Sequence, residues 1–225
     1  MLYDFHTHTF LSDGVLSPVE LARRGLVRGY SVLAIADHVG LGTCETVLKQ
    51  VVAECELVNR HWPILALPAV ELTHVPARAI AQVARQAKEW GAVLVLAHGE
   101  SIVEPVEPGT NAAALRSPDV DILAHPGLLT LEEADLAAAN GIFLELSARH
   151  GHSLTNGHVW RVGNQAGAQF LVNSDAHEPG DLLSAEFARQ VALGAGLPEA
   201  EAAMVLYENP QLLLRKLGQS LPTAR

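Results

Sequence analysis

The sequence predicts an α/β protein whose parallel sheet is covered on its faces, and three observations lead there. Short β-rich apolar runs alternate with stretches of helical period. The runs are apolar throughout, as strands buried on both sides are, rather than alternating in polarity. Each run also ends in polar or ionisable residues, which a parallel sheet gathers on one edge. The runs are "MLYDF" (1–5), "SVLAIA" (31–36), "ILALPAV" (64–70), "AVLVLA" (92–97), "VDILA" (120–124), "IFLEL" (142–146) and "QFLVN" (169–173). Helical period falls over 18–29, 45–61, 76–90, 131–140 and 181–195. Ser17 is the expected N-cap of the first helix, with Pro18 at its first position, and Thr130 with Glu133 forms a capping box for 131–140. Seven βα units result, and periodicity alone leaves a closed barrel and an open doubly wound sheet both standing. A glycine-rich phosphate loop after the first run, which would favour the open nucleotide-binding sheet, is not present.

Composition narrows the class. The chain has 225 residues, 49% of them hydrophobic and 18% charged, and no apolar run approaches a membrane span of roughly 18 to 20 residues. A single domain over 1–217 is expected, with "GQSLPTAR" (218–225) as a tail, and no signal peptide is read at the start, so a cytoplasmic location follows. The two cysteines, Cys44 and Cys55, lie in one helical segment without metal spacing and read as free thiols. A formal charge of −10, with no cluster of Lys and Arg, makes nucleic acid and anionic membranes unfavourable partners.

The polar strand ends carry the chemistry. His6 and His8 end the first run, Asp37 and His38 the second, Glu71 the third, His98 the fourth, His125 the fifth, Ser147 and Arg149 the sixth, Asp175 and His177 the seventh. A single histidine at a strand end is commonly a hydrogen-bonded rim residue. Here six of the eleven histidines, with Asp13, Glu71 and Asp175, fall at strand ends or just beyond, and together they favour a metal site. Residues i and i+2 of a strand project to one side, so His6 with His8 can offer two imidazoles to one cation, and Asp175 with His177 repeats the spacing. Imidazole mixed with carboxylate suits zinc, manganese or iron better than calcium, and the donors are too many for one ion. Asp37 reads as a carboxylate orienting a ligand imidazole. In "ELSARHGHSLTNGH" (145–158), Arg149 fits a bidentate phosphate clamp, with a rim ion pair as the plainer alternative. His150, His152, Asn156 and His158 suit either a substrate pocket or an ordinary polar loop and cap. His61 and His74 read as structural.

Taken in order, "FHTHTFLSDG" (5–14), "ADH" (36–38), "VEL" (70–72), "AHGE" (97–100), "AHPG" (124–127) and "NSDAH" (173–177) resemble the motifs of the polymerase and histidinol phosphatase (PHP) superfamily over residues 2 to 178. The resemblance implies a distorted (β/α)7 TIM-like barrel with a trinuclear metal centre at its C-terminal mouth. It implies that His6, His8, Glu71 and Asp175 hold one ion, that Asp13, His38 and His177 hold a second, and that Glu71, His98 and His125 hold a third. Glu71 would then bridge. Asp13 stands where some members of the superfamily have histidine, a variation that the superfamily also shows.

Three divalent ions bring about +6 against about −3 from the carboxylate ligands, so the mouth would attract phosphate although the chain is acidic. A metal-bridging hydroxide would be the nucleophile, leaving no catalytic side chain beyond the ligands, and neither a "GxSxG" elbow nor a reactive-cysteine setting appears. The expected function is hydrolysis of a small phosphate monoester, histidinol-phosphatase-like, with three Zn, Mn or Fe ions. Two alternatives stand beside it: an exonuclease on single-stranded ends, and a noncatalytic metal-binding domain. An amidohydrolase-type site also opens with His-x-His but expects a bridging lysine after a middle strand, which is absent. The sequence does not define an oligomeric state.

Overall fold

The computed structural model describes residues 1–222; the last three residues of the expected tail 218–225 lie outside the described residues. The strands are β1 (Leu2–Asp4), β2 (Tyr30–Ile35), β3 (His38–Val39), β4 (Leu65–Leu72), β5 (Leu94–His98), β6 (Ile122–Ala124), β7 (Phe143–Ser147) and β8 (Phe170–Asn173). All pair in parallel in the order β1-β2-β4-β5-β6-β7-β8. The short β3 continues the line of β2 after a break at Ala36 and Asp37, pairing His38 with Glu71 and Val39 with Leu72. Seven strand positions therefore form a nearly closed TIM-like barrel. Closure runs through backbone bonds between the segments after β1 and after β8: His8 N donates to Ala176 O at 2.8 Å and Asp175 N to His6 O at 2.9 Å.

Helices α1 (Pro18–Val27), α2 (Leu41–His61), α3 (Ile80–Glu89), α4 (Thr110–Leu115), α5 (Leu131–Asn140), α6 (Asn156–Ala166) and α7 (Ala185–Gly194) return the chain between strands or follow the last. Then α8 (Glu199–Ala203), a π-turn at Met204–Glu208 and α9 (Asn209–Lys216) run on. The expected caps form: Ser17 accepts from Glu20 N, and Thr130 and Glu133 complete their box. Three helices differ in their starts, α3 beginning at Ile80 rather than 76 because residues Ala77–Ala79 form a 3₁₀ turn ahead of it. α2 begins at Leu41 rather than 45, because the Thr43 hydroxyl returns to accept from Gly40 N at 3.2 Å. α7 begins at Ala185 rather than 181, because Ser184 is its N-cap. Among the described residues, no helix is long and apolar enough to cross a membrane.

Apolar packing falls into two clusters that follow the period-two geometry of strands. Leu33, Ile35, Val70, Val95, Leu123 and Leu144 face the helices, whereas Val32, Ala34, Leu67, Ala69, Leu94, Leu96, Ile122, Phe143 and Leu171 fill the barrel. Leu213 and Leu214 of α9 join the interior cluster. Moving two residues on from the apolar interior positions reaches Glu71 on β4, His98 on β5 and Glu145 on β7, all buried. The same alternation that fills the barrel with hydrocarbon thus lifts ionisable side chains into its C-terminal mouth. Cys44 and Cys55 are buried free thiols on α2.

Candidate metal centre

At the mouth the backbone departs from regular strand geometry where donors are presented. His125 (φ 27°) and Asp175 (φ 54°) both have left-handed backbone, a conformation that costs a non-glycine residue about 1–3 kcal/mol and clusters at functional sites. Each sits at a strand end and turns its side chain towards the centre. His125 Nε2 lies 3.4 Å from Glu71 Oε1 and 3.6 Å from Asp175 Oδ2. His6 Nε2 is 3.3 Å from Glu71 Oε2, and His8 Nε2 is 3.2 Å from Asp175 Oδ1. Asp13, from the loop after β1, reaches His177 Nε2 at 3.1 Å and His38 Nε2 at 3.6 Å.

Four groups of donors lie close enough to share an ion: His8, Asp13, His38 and His177; His6, His8 and Asp175; His6, Glu71 and His125; and His98, His125 and His152. The nine residues singled out from sequence as ligands all occur in these groups. His152, read only as a pocket or loop residue, joins them: it is buried and its ring stacks on His125 at 3.9 Å.

Unpaired polar atoms test whether cations fit. Among the described residues, His6 Nε2, both ring nitrogens of His8, both carboxylate oxygens of Glu71 and His125 Nδ1 are buried without a hydrogen-bond partner. Such atoms are costly to bury unless something satisfies them. Imidazole lone pairs and carboxylate oxygens facing one another across 3–4 Å are what a divalent cation satisfies, so the residues present fit metal.

Hydrogen bonds at the far side of two rings leave the right nitrogen free. His6 Nδ1 donates to Glu145 Oε2 at 2.7 Å and His98 Nδ1 to Gly99 O at 3.0 Å, and in both rings Nε2 faces inward, whereas His38 Nδ1 lies between Thr73 Oγ1 at 2.6 Å and Glu71 Oε2 at 2.7 Å, with its Nε2 towards Asp13. Electrostatics follow this geometry. Burial alone would lower His6, but Glu145, Glu71 and Asp175 raise it well above the usual range. Burial and the neighbouring imidazoles of His38 and His6 push His8 well down. Burial would raise Glu71, yet His6, His38 and His98 hold it well below the usual carboxylate range. Burial raises Asp175, and burial with His125 alongside lowers His152 to about 3. His98 rises to about 9 against its burial, through Glu71 and Glu104.

Arg149 stands at the edge of this cluster, with Nη1 2.8 Å from His177 Nδ1 and donating to Asp175 O at 3.3 Å. It opens onto a cavity of about 510 Å³ shared with His150, Ser174, His177, Asp181 and Phe187. Two sequence expectations are corrected. Asn156 does not face the cavity: its amide is spent on β7, accepting from Ser147 N at 3.1 Å and donating to Ser147 O at 2.8 Å. Asp37 orients no imidazole; buried at the break after β2, it accepts from Thr9 N, Thr9 Oγ1 and Ser12 Oγ and so fixes the loop that carries Asp13. His158 Nε2 bonds the Leu129 carbonyl at 2.7 Å. Sequence reasoning missed Glu145, although a lone acid inside the apolar "IFLEL" was the available signal. It also missed Glu104, whose Oε2 is 2.8 Å from His98 Nε2, because a glutamate in a polar loop carries no signal of its own.

No family model matches the chain. Its fold is similar to a chain of the cryo-EM structure of archaeal ribonuclease P with mature tRNA (TM-score 0.66, 12% identity, covering 98% of this chain and 95% of that one). It is also similar to the putative histidinol phosphatase hisK from Listeria monocytogenes (TM-score 0.55, 10% identity, 80% and 96%). In sequence it is 29% identical over 193 residues to the DNA polymerase/3'-5' exonuclease PolX of Bacillus subtilis, covering 77% of this chain but 34% of PolX. Identity reaches 43% over 218 residues with the uncharacterized protein MJ1295 of Methanocaldococcus jannaschii, covering 96% of this chain and the whole of that protein. At that identity and coverage, the chain belongs to the same family as MJ1295.

Proposed function

We propose that this protein is a metal-dependent phosphoesterase of the PHP superfamily that hydrolyses a small phosphate monoester. The observation that carries the reading is the set of buried, unpaired imidazole and carboxylate atoms of His6, His8, Glu71 and His125 converging at one mouth. His6, His8, Glu71 and Asp175 would hold one ion, Asp13, His38 and His177 a second, and Glu71 with His98 and His125 a third. Divalent ions of the zinc, manganese or iron type bound there supply Lewis acidity and an activated water. The chain's own side chains do the rest. Glu145 holds His6 with Nε2 inward, and Asp37 pins the loop bearing Asp13. Arg149, one-third exposed beside His177, presents its guanidinium to a phosphate entering from the 510 Å³ cavity, with exposed His150 on the same wall.

The alignment with PolX favours a second reading, a 3'-5' exonuclease, although this chain spans about a third of that protein. A net charge of −10 disfavours it, since strand binding draws on clustered cations. One experiment separates the two: protein reconstituted with zinc, manganese or iron is assayed on a panel of phosphorylated metabolites and on labelled single-stranded oligonucleotides. Release of phosphate from monoesters with the oligonucleotide intact removes the exonuclease reading. His6→Ala and Glu71→Ala are expected to abolish turnover while circular dichroism stays native, and full activity in Glu71→Ala would end the bridging role.

A further inference from the structure

The loop between β5 and α4 bends over the mouth, and two of its side chains reach the histidines of the third donor group. Ser101 Oγ lies 2.7 Å from His152 Nδ1, and Glu104 sends one carboxylate oxygen to His98 Nε2 at 2.8 Å and the other to His152 Nε2 at 3.4 Å. The loop is held in place rather than draped. Glu100 Oε1 accepts from Gly109 N at 2.9 Å and Asn111 N at 3.0 Å, Asn111 Oδ1 accepts from Glu100 N at 2.9 Å, and Asn111 Nδ2 donates to Pro126 O at 2.9 Å, beside His125.

The ring nitrogens are set for a cation. His98 donates Nδ1–H to Gly99 O, and His152 can donate Nδ1–H to Ser101 Oγ, so that both rings keep their Nε2 lone pairs for the space where Glu104 ends. His98, His125 and His152 are buried at 2%, 2% and 4% exposure, and their donor atoms lie within 4.8 Å of one another. Imidazole nitrogens and a carboxylate oxygen are donors of the kind that zinc takes.

We propose that His152 and Glu104 complete the third cation site together with His98 and His125, with Ser101 positioning His152. This rests on the metal-dependent reading above and changes its third site: the loop after β5 becomes part of the metal centre, and Glu71 is not that ion's sole carboxylate.

The test uses the full chain, stripped with chelator, reloaded with zinc, with parallel samples of the parent given manganese or iron, and measured by elemental analysis and calorimetric titration. Glu104→Ala and His152→Ala are each expected to retain one zinc fewer per chain than the parent while the remaining zinc is kept and the thermal melt stays cooperative. Ser101→Ala, a milder change, is expected to weaken the last zinc to bind by about 10- to 100-fold. Unchanged stoichiometry and affinity in all three variants would overturn this inference alone. A parent protein that takes up no zinc, manganese or iron would overturn the metal-dependent reading and this inference together.

Discussion

Glu145 lies in the middle of β7 between Leu144 and Leu146, fully buried, with Oε2 accepting from His6 Nδ1 at 2.7 Å and from Asn173 Nδ2 at 2.9 Å. Its charge is sustained against burial by His6, which keeps the carboxyl below the usual range. The pair fixes which nitrogen of His6 carries the proton, and so which one a cation meets. Glu145→Gln removes the charge while keeping an acceptor of similar size. It is expected to weaken the tightest zinc by about 10- to 100-fold in competition with a chromogenic chelator, with little change in the melt of the metal-free protein. Affinity equal to the parent's would mean that an uncharged acceptor suffices to hold the ring. Residues of this kind are where sequence reading stopped. His6 and His8 were legible because their i, i+2 spacing is itself a chelating geometry. Glu145, Glu104 and His152 acquire meaning only from the side chain opposite, which the fold supplies from 139, 6 and 27 positions away at His6, His98 and His125.

At the scale of elements, the strands stood out and several helices did not. Apolar runs located each barrel strand to within a few residues because burial on both faces leaves no other composition. The helices α4, α6, α8 and α9 escaped notice for local reasons. α4 has six residues and starts at a left-handed Gly109 rather than at a side-chain cap, and α6 follows a 3₁₀ turn at His152–Thr155 inside a segment whose polarity suggested a loop. The connections after β5 and β6 also show an element-level constraint. Gly99 follows His98 and packs against the segment 124–126, where a Cβ would meet the carbonyl oxygen of Ala124 and, at 2.7 Å, Cα of Pro126. Both are backbone atoms and cannot rotate away, so Gly99→Ala should push His98 and His125 apart. The expected loss is about 1–3 kcal/mol by thermal or urea unfolding, together with weaker zinc retention. Gly42→Ala in α2 is the control, since nothing lies within 4 Å of its Cβ position and alanine favours a helix by about 0.5–1 kcal/mol. If Gly99→Ala were as stable as the parent, the crossing of the two loops would not be tight.

For the whole molecule, the barrel closes at the place where its donors gather. Between β1 and β8 the ladder is irregular: a single parallel bridge joins Thr7 and Ala176, supported by His8 N to Ala176 O, Asp175 N to His6 O and Phe5 N to Asn173 Oδ1. His6, His8 and Asp13 lie on one side of this seam, and Asp175 and His177 lie on the other. A cation shared by His6, His8 and Asp175, or by Asp13 and His177, therefore ties the first strand to the last, whereas the β4–β5 pairing needs no such tie. Binding to the folded state alone stabilises by about 2.7 kcal/mol when free metal is 100 times its Kd, which for a chain of this length raises the Tm by roughly 5–11 °C. Chelation should accordingly lower the Tm, and so should acid, because imidazoles must lose their protons to bind a cation and regain them as pH falls through their range. The loss should also be localised. In hydrogen exchange of the metal-free protein against the zinc-loaded one, the amides of His8 and Asp175 at the seam should lose protection first, with those of Val70 and Leu96 in the β4–β5 region little changed. Uniform loss across the sheet would mean that the ions stabilise the barrel as a whole rather than staple its closure.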